Sequence, residues 1–204
     1  MKITRYFQSC LLVEEGGVKI LIDPSGHEVD NLGKFGALNA VLYTHEHGDH
    51  FDAGMAGKFV DGGIAVYANA STAKQMKSQP NIVTDGQEFA VGSVKIQAKE
   101  LPHCLMWDGS AGPQNTGFLL AGRLFHPGDG IKLAGLNVEI AALPINGPDV
   151  SLKDAFDFAK QLSAKTIIPI HYDYLGGNPN VFADVGKGMG LTTKVLANSE
   201  STDL

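Results

Sequence analysis

Short apolar runs alternate with polar turns along most of the chain, and this pattern predicts many strands and few helices. Residues 2–7 form one such run, and two more in 10–24 flank a Glu-Gly-Gly turn, which predicts a strand followed by a hairpin. The run at 40–44 is short and continuously apolar, which is typical of a strand buried on both faces. The segment 25–39 is rich in glycine and asparagine, so we expect a loop there.

Helical periodicity is clearest at 151–162, where apolar residues recur on one face behind a Ser-x-x-Asp capping box. A second helix is expected at 69–79, with Asn69 or Ser71 as its N-cap and Pro80 as its end. The other predicted elements are helices at 52–60 and 178–189, strands at 63–68, 137–145, 166–170 and 191–197, hairpins at 88–101 and 116–129, and a polar tail at 198–204.

The order of these elements predicts an α/β protein (α+β in its antiparallel parts) built from two mixed sheets. Strands come first, two α/β crossovers follow, and antiparallel strands then precede a last crossover. Helices should cover both sheets, because a single layer would leave too many apolar faces exposed. The chain has 204 residues, which is enough for one buried core, and we expect a single domain spanning 1–204.

Composition and charge narrow the class of partner. Hydrophobic residues make up 44% of the chain and charged residues 19%, which excludes a disordered protein. A formal charge of −6 lacks the basic footprint of a nucleic-acid-binding protein, so we expect a small-molecule substrate. No apolar run could span a bilayer, and the N-terminus lacks a signal-peptide pattern. We therefore expect a cytoplasmic protein without membrane association, in which Cys10 and Cys104 are reduced.

Candidate chemistry is concentrated directly after the 40–44 strand. Three of the seven histidines, with Asp49, form the pattern His45-x-His47-x-Asp49-His50. Ligands of α/β proteins bind outside the carboxyl ends of strands. Two histidines two positions apart can converge on one ion where a strand becomes a turn, while Asp49 and His50 point toward a second ion. Imidazole and carboxylate without thiolate suit zinc, manganese or iron. The alternative is a solvated loop that is merely rich in histidine.

The motif Thr-His-Glu-His-Gly-Asp-His resembles the signature of the metallo-β-lactamase-fold hydrolases, and further markers follow the order of that family. Asp23 ends a strand in "ILIDP", His103 follows the strand "VKIQAKEL", Asp129 ends "FHPGD", and His171 lies in "IIPIHYD". The pair "PING" and "IPIHYD" resembles most the branch that contains the ascorbate-6-phosphate lactonase.

This resemblance implies a four-layer αββα sandwich with a two-metal site at one edge. Seven residues would be its ligands: His45, His47 and His103 for the first ion, Asp49, His50 and His171 for the second, and Asp129 as a bridge between them. The ions would be zinc in preference to manganese, with iron as the alternative.

The resemblance also implies the chemistry of hydrolysis. Two ions lower the pKa of a bridging water, and the resulting hydroxide would attack a small ester, lactone or phosphoester. Asp49 would orient this hydroxide or relay its proton, and Asp129 would hold both ions. Asp23 would accept a hydrogen bond from a ligand histidine and fix its tautomer. The alternative for Asp23 is a turn residue before Pro24.

Three residues are candidates for substrate contacts. Trp107 lies in the glycine-rich segment 106–115 after the third histidine, where it is either a substrate platform or lid anchor, or a residue packed on the surface of the core. Asn146 is either a polar contact or part of an Asn-Gly turn. Tyr172 should line the rim of the site.

The two remaining histidines are expected to have other roles. His126 should be packed against the core or support a ligand, and His27 should lie at the surface, where a substrate contact remains open. Substrate choice would rest on the loops 24–36, 106–115 and 145–150. A mononuclear iron dioxygenase with a subset of these ligands, and a non-catalytic metal-binding protein, are the alternatives to a hydrolase.

Overall fold

The computed structural model describes the backbone of residues 1–204 and the side chains of residues 1–27 and 32–204. Its fourteen strands are β1 Lys2–Arg5, β2 Leu11–Glu15, β3 Val18–Ile22, β4 Ala40–Tyr43, β5 Ala65–Ala68, β6 Asn81–Ile82, β7 Glu88–Val91, β8 Val94–Glu100, β9 Thr116–Leu120, β10 Leu124–His126, β11 Ile140–Pro144, β12 Thr166–Ile170, β13 Thr192–Thr193 and β14 Ser201–Asp203. Its helices are the 3-10 helix Gly26–Phe35 and the α-helices α1 Ala53–Asp61, α2 Ala70–Ala73, α3 Leu152–Gln161 and α4 Pro179–Gly188.

The strands form two seven-stranded sheets, each mixed in direction. The first sheet has the order β14-β1-β2-β3-β4-β5-β6, antiparallel from β14 to β3 and parallel from β3 to β6. The second has the order β13-β12-β11-β10-β9-β8-β7, parallel from β13 to β10 and antiparallel from β10 to β7. The two mixed sheets predicted from the element order are confirmed.

Helices cover the outer faces of both sheets, which produces four layers. Ile20 of β3 and Phe118 of β9 belong to one buried cluster between the sheets. Phe59 of α1 belongs to a second cluster, on the outer face of the first sheet. Phe156 of α3 and Phe182 of α4 stack 4.5 Å apart in a third cluster, on the second sheet. The predicted αββα layering is therefore confirmed.

The capping box predicted for α3 is present. The Ser151 side chain accepts from the backbone N–H of Asp154, and the Asp154 carboxylate accepts from the backbone N–H of Ser151. Of the two residues expected as the N-cap of α2, Asn69 takes this position. Its side chain accepts from the backbone N–H of Thr72. The α2 helix has only four residues, so the expectation of a helix over 69–79 was too long. The backbone beyond it continues in three-residue turns, beginning with Lys74 N–H to Ser71 C=O.

Three other expectations differ from the structure. The segment expected to be a loop contains the 3-10 helix, because Leu32 and Phe35 have the three-residue spacing that brings both against the core. The strand expected over 191–197 is limited to the two residues of β13. The expected polar tail contains β14, which pairs with β1 through backbone bonds and a 2.9 Å hydroxyl contact between Thr4 and Ser201. Apolar periodicity does not detect an edge strand of this kind.

Candidate metal centre

The loop after β4 presents four polar side chains from one short turn. The backbone carbonyl of His47 accepts from the N–H groups of His50 and Phe51 at 2.9 Å, which closes the turn. Asp52 then caps α1 by accepting from the N–H of Met55 at 2.7 Å. The chain is therefore fixed at both ends of the motif, by the buried strand β4 on one side and by a capped helix on the other.

Four residues form a first group of potential metal ligands. One ligand atom from each lies within 4.8 Å of the others: His45, His47, His103 and Asp129. His45 Nε2 is 3.9 Å and His103 Nε2 is 3.4 Å from Asp129 Oδ2. His103 follows β8 and Asp129 follows β10, so the second sheet completes a group that the first sheet begins.

A second group consists of Asp49, His50 and His171, whose ligand atoms also lie within 4.8 Å of one another. His171 Nε2 is 3.1 Å from Asp49 Oδ2 and 3.2 Å from Asp129 Oδ2. His50 Nε2 is 3.0 Å from Asp129 Oδ1. Asp129 thus belongs to the first group and also faces the second.

One carboxylate orients two histidines that follow the first sheet, one of them directly and the other through a threonine hydroxyl. Asp23 is fully buried at the end of β3, and its Oδ2 accepts from Nδ1–H of His50 at 2.8 Å. The same carboxylate accepts from the backbone N–H and the hydroxyl of Thr44 at 2.8 and 2.7 Å. Because the Thr44 hydroxyl donates to Asp23, it accepts from Nδ1–H of His45 at 3.0 Å. Both histidines are therefore in the tautomer that leaves Nε2 free.

The histidines of the second sheet have the same arrangement with backbone acceptors. Nδ1–H of His103 donates to the Cys104 carbonyl at 2.6 Å, and Nδ1–H of His171 donates to the Asn146 carbonyl at 2.7 Å. Their Nε2 atoms point toward Asp129. Across both sheets, each of these rings is oriented by a bond on the side away from the ligand groups.

Several of the converging atoms are buried without any hydrogen-bond partner among the described side chains. They are Nε2 of His45, Nε2 of His50, Nε2 of His103 and Oδ1 of Asp129. A buried polar atom without a partner is costly and therefore rare. Imidazole nitrogens and carboxylate oxygens that converge without partners fit divalent cations. The side chains of His45, His50, His103, His171 and Asp129 are called the floor below.

The pKa shifts of the floor side chains show that this arrangement favours positive charge. Burial alone would raise the pKa of Asp129, but the charges of His171 and His50 outweigh it and hold the pKa well below its usual range. Burial lowers the pKa of His103 and of His171, but the Asp129 carboxylate outweighs it and raises each pKa to about 10. The carboxylate therefore attracts positive charge to this place, which is what a cation site requires.

Two glycines allow the ligands to approach this closely. Gly128, before Asp129, has φ +60°, and a Cβ on it would lie 2.3 Å from Oδ1 of Asn115 and 2.8 Å from Thr44. A Cβ on Gly112 would lie 2.4 Å from the ring of His103. Side chains at either position would displace a ligand or its support.

A cavity of about 460 Å³ opens above the floor. Members of both ligand groups line its inner part, and mostly apolar residues line its opening. The complete lining is His27, His47, Gly48, Asp49, His103, Met106, Trp107, Asp129, Pro148, His171, Tyr174 and Leu175. The side chains of His27, Met106, Trp107, Pro148, Tyr174 and Leu175 are called the rim below. The expectation that the 106–115 segment borders the site agrees with this position of Trp107.

The other two candidate contacts lie elsewhere. Tyr172 is buried, its hydroxyl donates to the Leu196 carbonyl at 3.1 Å, and it does not line the cavity. Asn146 uses its side chain locally, donating to the Leu175 carbonyl and accepting from the Gly147 N–H, both at 2.9 Å. Its contribution to the site is the backbone carbonyl that orients His171. The expected rim position for Tyr172 is instead taken by Tyr174, because Tyr172 turns into the core.

The two remaining histidines lie where the sequence places them, and both cysteines are inside the protein. His126 is buried, donates from Nε2 to the Ser9 carbonyl at 2.8 Å and accepts at Nδ1 from Gly128, so it is a packed residue. His27 is exposed on the rim, with its ring centroid 4.3 Å from that of Phe7. Cys10 and Cys104 are both free and buried.

Sequence reasoning missed Gln8, a fully buried residue after β1. Its side-chain amide donates to Asp49 Oδ2 at 3.1 Å, and its amide oxygen accepts from the backbone N–H of Tyr174 at 3.1 Å. Its backbone carbonyl accepts from His171. Gln8 thus joins the second ligand group to the rim, and no motif in the sequence marks it.

Among the described residues, no helix has the length and apolar character needed to cross a membrane.

The fold and the ligand groups together define a metallo-β-lactamase-like protein. The chain belongs to the beta-lactamase superfamily, because the family profile described as beta-lactamase superfamily domain matches residues 2–171.

Its relatives include proteins named UPF0173 metal-dependent hydrolase. The one from Bacillus pumilus is 30% identical over 213 residues, covering 90% of this chain and 92% of that protein. The one from Carboxydothermus hydrogenoformans is 29% identical over 229 residues, covering 98% of each. The structure of Igni18, a metallo hydrolase from the archaeon Ignicoccus hospitalis, superposes with a TM-score of 0.78 at 22% identity, covering 100% of this chain and 98% of that one. This last similarity concerns the fold alone.

Proposed function

We propose that this protein is a dinuclear metal-dependent hydrolase of small esters, lactones or phosphoesters. The observation that carries the proposal is the convergence of imidazole and carboxylate atoms into two adjoining groups, both faced by Asp129. Three of the imidazole nitrogens and one carboxylate oxygen are buried without a hydrogen-bond partner. The names of the relatives support the class of reaction.

The two groups assign the proposed ligands. His45, His47 and His103 would hold one ion, Asp49, His50 and His171 would hold the other, and Asp129 would belong to both. We propose zinc in preference to manganese, because imidazole, which suits zinc, outnumbers carboxylate, which suits manganese, in the donor set. Such ions, when bound, make water more acidic and polarise the oxygen of the bond to be broken.

Asp49 has the position of a residue that handles the proton of the attacking water. It lines the cavity, and its side chain is partly exposed, whereas Asp129 is buried. Burial alone would raise the pKa of Asp49, but the hydrogen bond from His171 outweighs it and lowers the pKa. Asp49 therefore stays ionised and accepts hydrogen bonds, and the Gln8 amide fixes its orientation.

The proposal includes a small-molecule substrate and a cytoplasmic location. The cavity of about 460 Å³ has the size of small-molecule sites. The two cysteines are free and lie in different buried clusters, which agrees with a reducing compartment.

Elemental mass spectrometry on protein purified without added metal tests the proposal first. We expect two zinc or manganese ions per chain, and a screen of lactones, esters, phosphodiesters and phosphomonoesters should then show turnover. One iron per chain would instead favour the dioxygenase alternative. Protein that contains no metal and takes up none on reconstitution would contradict the ligand assignment.

A matched pair of histidine variants separates ligands from neighbours. His103→Ala removes a floor residue and should lower the metal content to about one ion per chain or less, with loss of turnover. His27→Ala removes a rim histidine that belongs to neither ligand group, so its metal content should stay unchanged. Equal metal loss in both variants would contradict the assignment of His103.

A further inference from the structure

We propose that the part of the substrate outside the reacting group is uncharged and flat, so that the preferred substrates are neutral esters or lactones bearing an aromatic or similar apolar group. This inference deepens the proposed function and rests on it. It is carried by the rim of the cavity, whose residues are defined above, and by the charges around it.

The rim presents large apolar surface to solvent. Trp107 is 71% exposed and Tyr174 is 66% exposed, which is unusual for side chains of this size. Met106, Pro148 and Leu175 extend this surface around the opening. An exposed apolar surface at the mouth of a polar site gains free energy when a ligand covers it. Aromatic side chains in particular favour stacked or edge contacts with a flat ring.

No lysine or arginine occurs among the described residues that line the cavity. The segment 28–31, whose side chains lie outside the description, reads Glu-Val-Asp-Asn and supplies no cationic residue either. Sites that select phosphate or carboxylate groups commonly use arginine or lysine for that purpose. The rim has no such group to offer an anionic substituent.

Arg5 is the basic residue whose partners lie next to the rim, and it is already engaged. It is buried, forms an ion pair with Asp173, and has its guanidinium 4.2 Å from the centroid of the Tyr172 ring. Asp173 also accepts from the backbone N–H of Gln8 at 2.7 Å. The arginine therefore neutralises a neighbouring carboxylate inside the protein and does not serve a ligand.

The proposed metal ions would supply positive charge only at the reacting group of the substrate. Two divalent cations, offset by the carboxylates of Asp49 and Asp129, would leave two formal positive charges there. This suits the single negative charge that develops when water attacks a neutral ester. A phosphomonoester dianion would cancel both charges before the hydroxide attacks, and a carboxylate substituent would bring a charge to the rim, where no lysine or arginine compensates the lost hydration.

The kinetic test compares substrates that share a leaving group. The metal-loaded protein is assayed with para-nitrophenyl butyrate, with the anionic para-nitrophenyl hemisuccinate, and with para-nitrophenyl phosphate. We expect kcat/KM for the neutral ester to exceed the other two by about tenfold or more, which corresponds to the loss of one good polar contact. A higher kcat/KM for either anionic substrate would overturn the inference and leave the proposed hydrolase intact.

Variants of the rim sharpen this test. Trp107→Ala should raise KM for the neutral ester with little change in kcat, because it removes binding that is equal in the ground and transition states. Trp107→Lys should raise kcat/KM for the hemisuccinate relative to the butyrate. Val185→Ala changes an exposed valine of α4 that does not line the cavity, and should change neither value. Unchanged kinetics in both Trp107 variants would overturn the inference.

Binding can be measured without catalysis, because Trp107 is the single tryptophan of the chain. Its fluorescence is titrated in the metal-loaded protein with para-nitrobenzyl alcohol and with 5-(hydroxymethyl)-2-nitrobenzoate, which carries an added carboxylate on the ring. We expect saturable quenching by the neutral alcohol at about tenfold lower concentration than by the carboxylate. Saturable quenching by the neutral alcohol without hydrolysis of any ester would support the inference on binding and contradict the proposed hydrolase. Tighter binding of the carboxylate would overturn the inference.

Discussion

The floor of the cavity differs from its rim in how firmly each side chain is held. The floor histidines are buried, and each has its Nδ1 atom bonded to a side chain or carbonyl that lies outside the ligand groups. The rim side chains Trp107 and Tyr174 are mostly exposed. The orientation of the floor is therefore fixed before any ligand arrives, whereas the rim keeps its rotameric freedom.

This difference separates two tasks that one cavity must combine. Cation binding requires donor atoms in fixed positions, because ligand geometry decides which ion is held. Substrate selection by apolar contact requires surface and shape, and tolerates more variation. We therefore expect changes in the floor to affect metal content and all substrates alike, and changes in the rim to affect one substrate relative to another.

The largest effect should come from removing the residue that faces both ligand groups. Asp129→Ala should abolish hydrolysis and reduce the metal content to about one ion or less, because the carboxylate that faces both groups is lost, and with it the negative charge that offsets the cations. Circular dichroism should show an intact fold. Asp157→Ala, on the exposed face of α3, is the control and should keep metal content and turnover. An Asp129→Ala protein that binds two ions and turns over would refute the bridging role.

A smaller effect should come from reversing one tautomer. Asp23→Asn keeps the shape of the side chain but places an amide N–H where Oδ2 accepts from His50. His50 then favours a proton on Nε2, which cannot bind metal in that state, so we expect metal affinity to fall by about 10–100-fold. Competition with a chromogenic chelator measures this affinity.

The control for Asp23→Asn must lose stability without touching the floor. Ser151→Ala removes the N-cap of α3 and should cost about 1 kcal/mol of folding stability. Its metal affinity should equal that of the parent protein. If both variants lose affinity in proportion to their stability, the orienting role of Asp23 is refuted.

Protonation of the floor should make the folding stability of the metal-free protein fall as the pH rises, while metal affinity rises. In the metal-free protein, His103 and His171 have pKa values raised from 6.5 to about 10. A raised pKa stabilises the folded state fully below about pH 6.5, and this contribution is lost as the pH rises toward about 10. Metal must displace those protons, so metal affinity rises with pH over the same range.

Thermal unfolding in chelator and in excess zinc measures this difference. The gap in Tm between the two conditions should widen between about pH 7 and about pH 9. A gap that stays constant with pH would show that protons and metal do not compete for the floor.

The sequence predicted the floor from two sources, the residue types of one short motif and a resemblance to a known family. The cluster at 45–50 lies after an apolar strand, and Asp129 and His171 follow strands in the same way. His103, Asp129 and His171 were assigned to the same site through the resemblance to the metallo-β-lactamase-fold hydrolases, because no local pattern joins residues from two different sheets. Asp23 was predicted to support a ligand histidine, and the structure shows its bond to His50.

The rim could not be predicted to the same extent, because its position depends on how loops pack. Tyr172 and Tyr174 are two residues apart, yet Tyr172 turns into the core while Tyr174 lines the cavity. The edge strand β14 was missed for a related reason, since backbone pairing with β1 stabilises it without an apolar pattern. Local sequence specifies polarity, whereas these choices are made by tertiary contacts.

The smallest effect should come from the residue that connects the second ligand group to the rim. Gln8 is held at φ +59°, and its amide bonds both Asp49 of the second ligand group and the backbone of Tyr174 at the rim. Gln8→Met keeps the volume but loses both bonds, each worth about 1 kcal/mol. We therefore expect about a fivefold loss of affinity for the second ion, with a similar rise in KM for an aryl ester.

Gln97→Met, on the exposed face of β8, is the matched control and should change neither value. If only the metal affinity changes, the role of Gln8 is to orient Asp49. If only KM changes, its role is to hold the backbone at Tyr174. If both values change together and Gln8→Glu restores neither, the second ligand group and the rim are coupled through this neutral amide, because a carboxylate cannot donate to Asp49.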